Sequence, residues 1–154
     1  MKYKKSHRDQ NVKPYVSKAV EENCNILEID IQQAQGCIVL GHNFRPPLKM
    51  LFTCTLKEYL DRVILFPDKD IIIQLDIKEI CITPWSKQAF AKLIEKELLP
   101  YINKNFGIIV SANKGFYRID TMRYVKAYLY NYGWTAQDWN IWRLNKDITT
   151  VDLW

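Results

Sequence analysis

No run of about 18 consecutive apolar residues occurs in the chain, so no transmembrane helix is expected. The basic start, Met1-Lys2-Tyr3-Lys4-Lys5, is not followed by an apolar segment, which argues against a cleaved signal peptide. A phosphate-binding glycine loop, a G-x-S-x-G nucleophile elbow and a dinucleotide fingerprint are all missing. His7-Arg8-Asp9 matches the kinase catalytic-loop tripeptide, but Pro14 stands where that loop needs Asn and the chain is too short for a kinase. The four cysteines, Cys24, Cys37, Cys54 and Cys81, form no C-x-x-C pair. Free structural thiols and a reducing, cytoplasmic setting are therefore expected, rather than zinc or disulfides.

What the chain does have is apolar and aromatic bulk. Hydrophobic residues make up 48% and charged residues 25% of 154 positions, enough to pack one domain and too apolar for disorder. The net charge of +5 comes from lysines spread along the chain, with Lys2, Lys4 and Lys5 as the tightest basic cluster. No motif for nucleic-acid binding accompanies that charge, so a nucleic-acid partner is not expected. Anionic substrates such as phosphate esters suit its sign.

Apolar periodicity alternates between strand-like and helix-like segments. Residues 3–7, 25–31, 36–42, 70–77 and 107–112 read as strands, the last two apolar enough to be buried on both faces. Residues 14–23, 55–64 and 86–105 read as helices, and Thr55 with Glu58 forms a capping box. In the last third, residues 121–125 read as a helix, 126–131 as a strand, 135–144 as a Trp-rich helix and 148–153 as a closing strand. Trp134, Trp139, Trp142 and Trp154 could pack in the core or face a membrane, and the core is the expected place. Alternating strands and helices predict right-handed βαβ units and a mainly parallel sheet, either doubly wound or a barrel. A full (β/α)₈ barrel takes about 250 residues and seldom fewer than about 200. The expected fold is therefore α/β, a truncated or compressed TIM-like barrel spanning the chain as a single domain.

The residues that could carry chemistry cluster at strand ends, where parallel α/β proteins place their sites. Glu28 and Asp30 are two apart on one strand and share a face, as do Asp76 and Lys78 on another. Crowded carboxylates repel unless a cation lies between them, and oxygen ligands of this kind suit Mg²⁺ or Ca²⁺. Read without that context, the same residues are exposed carboxylates and an ordinary Asp–Lys surface pair. His7 and His42, the two histidines of the chain, each stand where a segment ends and a loop begins. Such a pair could supply a general base and a general acid. Arg8 and Lys78 could neutralise phosphate oxygens.

Taken in order, SHRD, LEIDI, GCIVLGHN and IIIQLDIK resemble the N-terminal half of glycerophosphodiester phosphodiesterases. These belong to the phosphatidylinositol-phospholipase-C-like barrels, with sphingomyelinase D-like relatives. The resemblance covers residues 7 to 78. It implies His7 and His42 as the acid–base pair, Glu28, Asp30 and Asp76 as ligands of Mg²⁺ or Ca²⁺, and Arg8 and Lys78 as phosphate contacts. Asn11 would take the place of the family's Asn after the first strand. The ending DITTVDLW is similar to the last strand of these barrels, which often close on a Thr-Asp pair.

Three positions depart from the pattern. Asp9 replaces the family's Gly, which removes a tight turn and is expected to put a negative charge near the phosphate. Asn43 replaces the Asp after the second His, and Asp76 replaces the usual Glu. The implied activity is metal-dependent cleavage of a glycerophosphodiester or phospholipid head group; the alternative is a degenerate relative that binds a head group or protein partner. A shortened barrel with open edges would gain from a second copy, so a homodimer is an expected partner.

Overall fold

A computed structural model describes residues 2–41, 53–112 and 116–154, with side chains described from residue 119 onward in the last of these. Eight strands form one sheet among the described residues. They are β1 (Lys2–Ser6), β2 (Ile26–Ala34), β3 (Cys37–Leu40), β4 (Cys54–Thr55), β5 (Ile71–Ile77), β6 (Phe106–Ala112), β7 (Gln137–Asp138) and β8 (Asp147–Val151). The helices are α1 (Ser17–Glu21), α2 (Leu56–Val63), α3 (Pro84–Leu98), α4 (Phe116–Tyr130) and α5 (Trp139–Trp142).

Six strands run parallel in the order β8-β1-β2-β5-β6-β7, so the last strand returns beside the first. No pairing joins β7 to β8 among the described residues, and the sheet is open there. The one departure from parallel pairing is a hairpin. Beyond its partnership with β1, β2 continues and folds back on β3, with Ala34 opposite Cys37. The intervening Gln35 and Gly36 both take positive φ, 53° and 78°, as a two-residue turn with the twist of its flanking strands requires. β4 then pairs antiparallel with β3.

Side-chain alternation gives the sheet two different faces. Leu27, Ile29, Ile31, Ile73, Leu75, Ile77, Ile108 and Val110 join one apolar cluster with Leu56, Tyr59, Leu60, Phe90, Ile94 and Val125 of the helices. The other face carries Glu28, Asp30, Gln74, Asp76 and Ser111, all buried. Burying Leu or Ile side chains stabilises by about 1.5–3 kcal/mol each, so the apolar face holds the register that places the polar one.

Local signals explain the helix starts. Thr55 accepts from the Glu58 amide and Glu58 returns a bond to the Thr55 amide, the expected capping box. α3 begins earlier than expected. Thr83 is its cap, Pro84 fills the first turn where its missing N–H costs nothing, and Ser86 closes the box. Pro100 lies beyond α3, in the 3-10 turn Leu99–Tyr101.

Two expectations for the last third are corrected. Residues 126–131 are not a strand: α4 runs through Tyr130. Met122, Val125 and Leu129 fall at helical spacing and are buried, so packing decides against the strand-like aromatic content. The Trp-rich segment is a short strand followed by a single turn of helix capped by Asp138. Trp134 packs against the core, but Trp139 and Trp142 are half-buried and stack on each other at 5.9 Å. Trp154 is 54% exposed, with its indole N–H donated to the His7 carbonyl. All four cysteines are free, and three are buried, as the thiol reading expects.

Candidate metal and acid–base centre

Strand register builds the site. β2 and β5 pair in parallel with Glu28 opposite Gln74 and Asp30 opposite Asp76. Adjacent strands lie about 4.8 Å apart, so the two aspartates stand side by side on the polar face. Glu28 is one residue pair further back on the same face. One carboxylate oxygen from each of Glu28, Asp30 and Asp76 lies within 4.8 Å of the others, and all three residues are buried. They are neither exposed carboxylates nor a surface pair.

Cations from the chain surround this triad. Lys78 Nζ is 2.8 Å from Asp76 and 3.8 Å from Asp30. Arg8 Nε is 3.7 Å from Asp30, reached from a backbone held left-handed at φ 50°, a conformation that residues other than Gly rarely adopt. Lys5 Nζ is 2.5 Å from Glu28. The site thus contains three acidic and three basic side chains, an arrangement that limits repulsion at a cost in desolvation.

Asp30 sits where burial disfavours its charged form. Burial pushes its carboxyl up to about 6, helped by Asp76 and Glu28 and opposed by the Gln10 hydrogen bond and Lys78. Gln10 Nε2 donates to Asp30 Oδ2 at 2.9 Å, while the Asp30 amide donates to Gln10 Oε1 at 3.3 Å. Oδ1 of Asp30 is buried and makes no hydrogen bond among the described residues. A hard divalent ion takes six to eight oxygen ligands when it is Ca²⁺, or fewer protein ligands with waters when it is Mg²⁺. Three clustered carboxylates with an unsatisfied oxygen fit either ion.

His7 completes the described part of the site. Hydrogen bonding between its Nδ1 and Asp152 Oδ1 spans 2.7 Å, and its Nε2 lies 3.5 Å from Glu28 Oε1. The imidazole is half-buried, with one nitrogen held by a carboxylate and the other directed at the triad. This orientation suits proton transfer at Nε2. His42 and Asn43 lie outside the described residues. Gly41, the residue before His42, donates its amide to the Asp30 carbonyl at 3.0 Å, and its own carbonyl accepts from Gln32.

Asp9 is not placed as its charge suggested. It is fully buried, and its carboxylate accepts from Ser6 Oγ at 2.7 Å, Tyr59 OH at 2.6 Å and the Val16 amide at 2.9 Å. It therefore ties β1 to α2 and to the entry of α1. Gln10, not Asn11, contacts the triad; the Asn11 side chain is 3.5 Å from Thr53 Oγ1.

Three site residues escaped the sequence reading. Lys5 was grouped with a surface cluster, although alternation along β1 puts it on the face of His7. Gln10 has no sequence signal, since a 3-10 turn at Asp9–Asn11 aims it. Asp152 was visible only as the acid ending the last strand. No family model matches the chain, and no curated protein matches it in sequence. Among the described residues, no helix is long and apolar enough to cross a membrane.

Proposed function

We propose that the chain is a metal-dependent phosphodiesterase acting on a glycerophosphodiester or a phospholipid head group, built on a shortened barrel of the phospholipase-C-like type. The observation that carries this reading is the shared face. His7 directs Nε2 at the buried triad Glu28, Asp30 and Asp76, with Arg8 and Lys78 beside it. The strand order, in which β8 returns to β1 and puts Asp152 on His7, agrees with a barrel-like plan.

Glu28, Asp30 and Asp76 would hold Mg²⁺ or Ca²⁺, which when bound supplies stabilisation of charge on the phosphoryl oxygens. Arg8 and Lys78 are placed to bind those oxygens through charge-assisted hydrogen bonds. His7 exchanges a proton at Nε2 with the attacking hydroxyl or the leaving alcohol, and Asp152 keeps its ring aligned. His42 takes the opposite proton role, on the strength of its place in the sequence order.

The test is hydrolysis of bis(p-nitrophenyl) phosphate and glycerophosphocholine with Mg²⁺, Ca²⁺ or EDTA. Wild type should turn over only with metal, and His7→Ala and His42→Ala should each lose on the order of 10²–10⁴ in rate. A folded, metal-loaded wild type without turnover would defeat the enzymatic reading.

One observation favours a second reading, a binding-only relative. Lys5 and Lys78 already pair with Glu28 and Asp76, so the carboxylates are balanced without an added ion. Absence of divalent-metal binding in calorimetry would decide for it.

A further inference from the structure

Gln74 and Ser111 share the polar face with the triad, and the mechanism above gives neither a part. Strand register puts them there. Gln74 is two residues before Asp76 on β5, and Ser111 on β6 is the direct partner of Asp76. Both are closed to solvent, at 3% and 5% exposure. Gln74 Nε2 donates to Ser111 Oγ at 3.0 Å, and Ser111 Oγ donates to Asp76 Oδ1 at 3.1 Å. A hydroxyl has one proton, so the amide must present its nitrogen to Ser111 if that proton is to reach Asp76. The dipoles then run head to tail toward the carboxylate charge.

Asp76 is thereby held by two groups of different kinds. Its Oδ2 pairs with the Lys78 ammonium, 2.8 Å away. An incoming cation competes with that ammonium for the same negative charge. The Ser111 hydroxyl is neutral and does not compete on charge, so it keeps the carboxylate aligned while the ammonium gives way.

The Gln74 carbonyl lacks a donor. Its Oε1 is buried and makes no hydrogen bond among the described residues. Its neighbours across the strands account for this. Glu28 on β2 is an acceptor paired with Lys5, Ile109 on β6 is apolar, and neither can donate. A buried acceptor left unpaired is costly. Oδ1 of Asp30, on the adjacent strand of the same face, is unpaired as well. Two such oxygens beside one acidic cluster call for positive charge or donors from outside the chain. Mg²⁺ in particular keeps several waters when bound, and these donate.

We propose that Gln74 and Ser111 are positioning residues of the cation site: Ser111 aligns Asp76, and Gln74 fixes Ser111 while its carbonyl accepts from a water of the bound ion. This assignment rests on the metal-dependent reading of the triad and adds two residues to it.

The test is titration calorimetry with MgCl₂ and CaCl₂, together with thermal melting in EDTA, on wild type, Ser111→Ala, Ser111→Thr and Gln74→Leu. Loss of an outer partner of a metal ligand weakens metal binding by about 10–100-fold. Ser111→Ala should therefore lose about tenfold or more in affinity, and Ser111→Thr, which keeps the hydroxyl, should retain most of it. Gln74→Leu separates positioning from packing. Replacing an unpaired buried carbonyl by an apolar side chain removes a desolvation cost. This variant should melt at or above wild type in EDTA, yet bind either ion about tenfold or more weakly. A packing role alone gives the reverse, a lower melting temperature in EDTA with unchanged affinity, and would overturn the proposal. Variants that all bind both ions as wild type does would also overturn it and leave the metal reading standing. A wild type that binds neither ion would overturn the metal reading itself, and this assignment with it, so the two failures are distinct.

Discussion

Asp152, one residue past the last strand, holds His7, one residue past the first, across 2.7 Å. The contact exists because β8 returns in parallel beside β1, with Ser6 opposite Val151. β1 and β8 therefore meet at the candidate acid–base group. A ring that turns freely loses alignment, and misplacement by about 1 Å can cost about 10²-fold in rate. Asp152→Ala should thus lower kcat on the order of 10²-fold, with metal affinity unchanged. Steady-state kinetics alongside metal calorimetry would check it. A loss of metal binding in this variant would mean that Asp152 acts on the triad instead.

Metal binding should depend on pH through Asp30. Its carboxyl is pushed up to about 6 from the ordinary 3.8, chiefly by burial. Between those values the folded state binds the proton and the unfolded state does not. In the metal-free protein the Asp30 contribution to stability therefore falls as pH rises from 3.8 to about 6. A bound cation needs the carboxylate, so affinity should be flat above pH about 6 and fall below it. Calorimetry in two buffers of different ionisation enthalpy should register about one proton released per metal at pH 5 and almost none at pH 7.5. Equal proton release at both pH values would exclude Asp30 as the titrating ligand.

Much of this centre was legible because strand alternation is a strict rule. LEIDI and QLDIK each place their charged residues on one face, and in-register parallel pairing brings the faces together. What escaped depended on turns and chain ends. Gln10 reaches Asp30 from a 3-10 turn, and Asp9 goes into the core because Tyr59, on α2, donates to it. Neither contact follows from local spacing. The hairpin at Gln35–Gly36 was read as a strand boundary, not as a reversal that makes β3 antiparallel. Residues 126–131 show β-favouring aromatics, yet burial of Val125 and Leu129 at helical spacing outweighs that preference.

Tyr59→Phe tests the role now assigned to Asp9. The Tyr59 hydroxyl donates to Asp9 Oδ2 at 2.6 Å in a buried setting. Burial raises the Asp9 carboxyl above its ordinary value, while the Tyr59, Ser6 and Val16 bonds pull it down. Deleting one bond to a buried carboxylate should cost about 1.5–3 kcal/mol at neutral pH. Without the hydroxyl the Asp9 carboxyl rises further, so the cost is full where Asp9 is ionised and shrinks as acid protonates it. Urea denaturation of both proteins at pH 7 and pH 4 would show this narrowing. A constant difference would mean that Asp9 is already neutral at pH 7.

Lys78→Met separates the chain's own cation from an added one. Lys78 is nearly buried and bridges Asp76 at 2.8 Å and Asp30 at 3.8 Å. Removing it leaves adjacent carboxylates without their shared counter-charge, and breaking a buried pair in this way costs about 3–5 kcal/mol. The metal-free variant should therefore melt well below wild type in EDTA. Ca²⁺ replaces the missing positive charge and no longer competes with the ammonium for Asp76. The variant should consequently regain more stability from millimolar Ca²⁺ than wild type does, and bind the ion more tightly by calorimetry. Activity should still fall, because the proposed mechanism also uses Lys78 as a phosphate contact. A Lys78→Met protein that melts low and is not rescued by Ca²⁺ or Mg²⁺ would leave the triad as a purely structural ion-pair network, held together by Lys5, Arg8 and Lys78.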